Sequence, residues 1–107
     1  MKYYEYVGFP LARKFEVENN LIKYNGKILE VFGEKECVIL ELLIQNRQEV
    51  VSFEEIVKAY WGEEWTYRFS FFSLTKVIQK IRDNLIKAGV PESSLITVRK
   101  KGYMVVD

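Results

Sequence analysis

Phe71, Leu74, Ile78, Ile81 and Leu85 recur at spacings of 3, 4, 3 and 4, the repeat that gathers side chains onto one side of an α-helix. The spacing predicts a helix over residues 70–88, with Ser70 as its cap, Phe69 and Leu74 as a hydrophobic staple, and Gly89 then Pro91 as its stop. A single apolar stripe leaves the other faces polar, so this helix cannot span a bilayer and must lie on a core supplied by other segments. With 107 residues there is material for one such domain, covering residues 1–107, and not for two.

The partners of that helix are readable in order. Phe15, Glu16, Val17 and Glu18 alternate, Asn19 and Asn20 can turn, and Leu21, Ile22, Lys23 and Tyr24 follow. Asn25-Gly26 is a strong hairpin signal because both residues tolerate positive φ, and residues 27–31 form the returning strand. Tyr3, Tyr4, Tyr6 and Phe9 suggest an irregular or edge strand before these. Residues 34–45 read as a central helix, with Cys37, Leu40, Leu43 and Ile44 on one stripe, widened by Val38, Ile39 and Leu42. Cys37 is then a small buried hydrophobe. Val50 and Val51 can pair briefly before a second helix. Ser52 with Glu55 makes its capping box, Val51 with Ile56 its staple, and Gly62 its end. Residues 62–68 form a connector, and residues 95–98 and 103–106 flank a basic tip, where Gly102 is expected to take the left-handed turn position. The fold class is α+β: a small antiparallel sheet, three helices and a C-terminal hairpin.

Composition removes whole classes of function. The chain has no histidine and one cysteine, which excludes a Cys/His metal centre, an internal disulfide and histidine acid/base chemistry. Glu54-Glu55 and Glu63-Glu64 are adjacent in sequence with no convergent base, so surface solvation explains them. The expectation is no enzyme, no catalytic residues, no metal and no cofactor. No apolar run approaches the roughly 20 residues that cross a bilayer, and no signal-peptide core follows Met1. A reduced, cytoplasmic setting follows.

The net charge of +1 conceals a split. Residues 1–64 carry eight basic and twelve acidic groups, whereas residues 65–107 carry eight basic and three acidic ones. A basic pole of this kind suits phosphate, with the acidic pole turned away. On the third helix, Lys76 and Lys80 are four residues apart and so share a face, flanked by Ser73 and Val77. A helix of this kind fits a major groove about 12 Å wide, where lysine donates to guanine, serine to several base edges, and valine meets a thymine methyl. Thr75 and Arg82 sit on the flanks, where side chains reach phosphate. Arg99, Lys100 and Lys101 place three charges on a short turn, able to grip phosphate or enter a minor groove, with Thr97 at its neck.

These segments resemble the winged-helix DNA-binding domain of the OmpR/PhoB-type transcription regulators over residues 15–106. The resemblance rests on Val50-Val51-Ser52 with Tyr60-Trp61-Gly62, on the third helix with Arg82, and on Thr97-Val98 with Gly102-Tyr103. The third helix is most similar to the ToxR- and CadC-like branch, whose DNA-binding domain comes first. The resemblance implies a four-stranded N-terminal sheet, a reader helix and a wing. It places base contacts at Ser73, Lys76, Val77 and Lys80, and phosphate or wing contacts at Arg82, Thr97, Arg99 and Lys101. It also implies that the connector from Glu63 to Tyr67 can touch RNA polymerase, with Glu63 and Glu64 suited to a basic partner and Trp65 either an apolar anchor there or a core residue. Four positions depart from the family pattern. Gly33 stands where the first helix is usually capped by threonine or serine, at a cost of about a few tenths of a kcal/mol. Lys100 replaces a frequent wing glycine, and Asp83-Asn84 replaces residues that are commonly basic.

The reading is sequence-specific binding to double-stranded DNA by a transcription regulator, on tandem or dimeric sites. Its alternative is a protein-binding winged helix that acts as a co-regulator, motivated by the low net charge and the aromatic connector. Because no receiver domain precedes Met1, phosphorylation of an attached receiver is not expected to be the switch. A longer, membrane-anchored regulator with this domain in the cytoplasm is compatible with the sequence.

Overall fold

The computed structural model describes residues 14–19, 21–30, 32–62 and 67–106, the side chains of residues 67–72 excepted. The expected strand around Tyr3, Tyr4, Tyr6 and Phe9 and the connector residues Glu63, Glu64 and Trp65 lie outside them.

Strands β1 (Phe15–Glu18), β2 (Leu21–Tyr24) and β3 (Lys27–Ile28) form an antiparallel sheet in that order. Register pairs Phe15 with Tyr24 and Val17 with Ile22, which turns Phe15, Ile22 and Tyr24 inward. Asn25 and Gly26 take φ of 53° and 80°, as an Asn-Gly turn requires. The third strand is shorter than its apolar run suggests. Beyond Ile28, Leu29 donates to the Ile22 carbonyl oxygen at 2.8 Å and then drops its side chain into the core.

Helix α1 (Glu34–Gln45) has the expected bounds but a different buried face: Ile39, Leu40, Leu43, Ile44 and the polar Glu36 are covered. Cys37, expected to be buried, is only half-buried and lies beside Val17, Ile22 and Val38 in a shallow recess. Burial and the neighbouring Glu36 and Glu41 charges push its thiol pKa up. Gly33 caps α1 in an extended conformation, and Glu36 Oε1 accepts from its N–H at 3.0 Å.

Helix α2 (Phe53–Trp61) follows β4 (Val51–Ser52) and realises the capping box. Glu55 N–H donates to Ser52 Oγ at 3.1 Å, and Glu55 Oε1 lies 3.4 Å from Ser52 N. Gly62 ends the helix with φ of 82°. Helix α3 (Tyr67–Lys87) begins three residues before the expected start, so Ser70 lies within the helix and is not its cap. Tyr67, Arg68 and Phe69 include no breaker, and each residue added to a formed helix gains a hydrogen bond. Leu74, Ile78, Ile81 and Leu85 are all buried in the common core, and α3 packs on α1 and α2.

That second sheet has the order β4-β6-β5, with β5 at Leu95–Val98 and β6 at Gly102–Val105. The architecture is α+β: an N-terminal antiparallel sheet, three helices and a C-terminal hairpin as wing.

Candidate nucleic-acid interface

The buried stripe of α3 decides what remains for a ligand. Lys76 and Lys80 are exposed, as are Thr75, Gln79, Asp83 and Lys87. Ser73, Val77 and Asn84, expected to face outward, are half-buried. Val77 packs on the edge of the core because it lies three residues after Leu74 and four before Ile81, both fully covered. Of the four expected base-facing residues, the two lysines therefore project and Ser73 and Val77 are recessed between them and the core.

The wing is held from two sides. Within its sheet, Tyr103 pairs with both Val51 of β4 and Thr97 of β5. At the tip, Lys101 N–H donates to the Val98 carbonyl oxygen at 2.9 Å, and Arg99, Lys100 and Lys101 are all exposed. The left-handed position belongs to Lys100, with φ of 66°, and not to Gly102. Gly102 is needed for a different reason. It is buried in β6 against β4, where a Cβ would overlap the Val51 carbonyl oxygen. Close backbone approach, and not a turn, fixes glycine there.

From the helix side, Arg82 straps the wing to α3. Its Nη2 donates to Thr97 Oγ1 at 2.6 Å and to the Leu95 carbonyl oxygen at 3.2 Å, and its guanidinium lies 6.0 Å from the Tyr103 ring centroid. The planar fork of arginine suits this paired carbonyl and hydroxyl. Two helical turns earlier, Thr75 hydrogen-bonds the Tyr103 side chain. Burial raises the Tyr103 phenol pKa, while that bond and the Arg82 charge oppose the rise. Thr75, Arg82 and Thr97, expected on phosphate, are thus brought together as the seam between α3 and the wing.

Two residues of this region were given no role by the sequence reading. Tyr103 joins the wing to both ends of the seam. Glu36 Oε2 lies 3.1 Å from Lys80 Nζ, joining the start of α1 to the projecting face of α3. The Gly33–Glu36 spacing signals a cap, but nothing local signals the reach to Lys80. Among the described residues, no three His, Cys, Asp or Glu gather as metal ligands would, and no helix is long and apolar enough to cross a membrane.

Comparison with known proteins agrees with this geometry. A family model described as "Transcriptional regulatory protein, C terminal" matches residues 26–105. Protein RcaC of Microchaete diplosiphon is 33% identical over 85 residues, which span 77% of this chain and 12% of that protein. The DNA-binding domain of CpxR from E. coli is similar at 25% identity with a TM-score of 0.66, over 88% of this chain and 91% of that one. The RstA DNA-binding domain of Klebsiella pneumoniae, solved in complex with the RstA box, shares the fold at 20% identity and a TM-score of 0.69, over 88% and 92% of the two chains.

The expected kinship with the ToxR- and CadC-like branch does not hold. The matching family model describes a C-terminal domain, and the structural relatives include the C-terminal domains of NsrR and RstA. The features of α3 on which that branch rested, its apolar spacing and Arg82, serve core packing and the wing strap and so do not distinguish branches. The chain belongs to the family of transcriptional regulatory protein C-terminal domains, the winged-helix domains of OmpR/PhoB type.

Proposed function

We propose that this domain binds double-stranded DNA sequence-specifically as part of a transcription regulator, with α3 in the major groove and the wing on the minor groove or backbone. The observation that carries the reading is the strap. Arg82 and Tyr103 hold the wing alongside the same helix from which Lys76 and Lys80 project. One duplex then meets two lysines and a tip of three charges. Lys76 and Lys80 contact base edges, with Ser73 and Val77 beneath them permitting close approach. Arg99, Lys100 and Lys101 take phosphate or the minor groove. Thr75, Arg82 and Thr97 act on DNA mainly by fixing where the wing stands, and the Thr97 hydroxyl at the neck remains within reach of a phosphate. The similar domains of CpxR and RstA, described as DNA-binding, support the reading. A module this small reaches useful specificity on tandem or dimeric sites.

Titration against a duplex selected from random DNA tests this. The unaltered domain is expected to form a complex that weakens steeply with salt, because roughly three to six phosphates are neutralised. Lys76→Glu with Lys80→Glu, its fold verified by circular dichroism, should weaken that complex by at least about tenfold. Unchanged binding would refute the assignment, and a domain that docks only on protein would give no salt-sensitive complex at all.

A further inference from the structure

We propose that Glu36 is a specificity-determining residue, a fixed carboxylate that discounts the attraction of Lys80 for phosphate and reserves its ammonium for base reading. This rests on the DNA-binding reading above and adds a residue outside the reader helix to it.

The two partners of the ion pair are unequally free. The Glu36 side chain is 9% exposed, and that of Lys80 67%. Glu36 is held at both oxygens: Oε1 accepts from the Gly33 N–H at 3.0 Å, and Oε2 pairs with Lys80 Nζ at 3.1 Å. The carboxylate therefore stays with the start of α1, and the lysine comes to it. An ammonium has three donors. One is taken by Glu36, and the others remain for acceptors such as guanine O6 and N7. At the distance of a backbone phosphate the pair looks nearly neutral, so Lys80 contributes little to counterion release while keeping its short-range donors. Attraction common to all DNA falls, and contact with a particular base edge is retained. Specificity is the ratio of the two.

Glu36→Gln removes the charge and keeps an amide oxygen for the Gly33 N–H. The expected result is binding to a random-sequence duplex about three- to fivefold tighter. The salt dependence, log K against log salt, should steepen by up to about one. Binding to a selected duplex should tighten less, so discrimination drops. Lys80→Ala should flatten the salt dependence by well under one in the unaltered chain and by about 0.9 in the Glu36→Gln background. Equal flattening in both backgrounds, or a Glu36→Gln variant with unchanged affinity and salt dependence, would overturn the proposal while leaving DNA binding intact. Absence of any salt-sensitive complex from the unaltered domain would instead overturn DNA binding, and this role with it. If Glu36→Gln does not fold, Lys80→Ala alone decides: a flattening of about 0.9 in the unaltered chain would make Lys80 an ordinary phosphate contact and sink the idea.

Discussion

On the flank of α3 that faces the wing, Thr75 and Arg82 use their donors inside the protein, on Tyr103, Leu95 and Thr97. About 100° further round the same helix, Lys76 and Lys80 project into solvent. All four are polar or basic residues beside a buried stripe, and the sequence assigned all of them to DNA, the lysines to base edges and Thr75 and Arg82 to phosphate. The difference is what stands opposite. Where the hairpin crosses the helix, a carbonyl and a hydroxyl await a guanidinium. On the other flank Lys76 and Lys80 stay exposed, and Glu36 tempers the charge of Lys80. Positioning and contact are therefore divided between two flanks of one helix, and they should be separable by mutation.

The largest effect is expected from removing the close approach that docks the wing on β4. Gly102→Ala forces a methyl against the Val51 carbonyl oxygen and should cost about 3 kcal/mol of unfolding free energy in urea titration. A cost under about 0.5 kcal/mol would mean that β4 and β6 separate easily and that the wing is not rigidly docked. Arg82→Ala comes next, at about 2 kcal/mol, because two acceptors lose a charged donor. It should weaken DNA binding through wing disorder, visible as lost amide protection at residues 96–98. Lys76→Ala is the counterpart on the other flank, with stability within about 0.5 kcal/mol and binding clearly reduced. Equal effects of the two variants on stability would erase the division.

The smallest effect is expected at Tyr103→Phe, about 1 kcal/mol for one side-chain hydrogen bond. It carries a pH signature. Unfolded, a tyrosine ionises near its ordinary value of about 10. Folded, Tyr103 holds its proton higher, chiefly through burial. Its contribution is therefore complete below that ordinary value and is lost as pH rises through the folded one. Denaturation midpoints of the unaltered domain should fall above pH about 10, and those of Tyr103→Phe should fall less.

What could be read from sequence alone was whatever depends on residues a few positions apart. The Ser52–Glu55 cap, the Asn25-Gly26 turn, the bounds of α1 and β5, and the stripe from Leu74 to Leu85 all belong here. Their hydrogen bonds and periodicities close within one or two turns, so chain order specifies them. The exposure of Lys76, Lys80 and the basic tip was legible too, whereas that of Ser73, Val77 and Asn84 was overestimated.

Only the tertiary structure decided the fate of groups whose partners are distant. Arg82 meets Thr97 fifteen residues away, Gly102 faces Val51 across two sheet strands, and Glu36 on the first helix reaches Lys80 on the third. A basic or small residue carries no mark of such a partner, because the same chemistry serves phosphate, carbonyl or carboxylate equally well. Packing chose among them by bringing particular protein groups within 3.5 Å, the Leu95 carbonyl and Thr97 hydroxyl for Arg82 and the Glu36 carboxylate for Lys80.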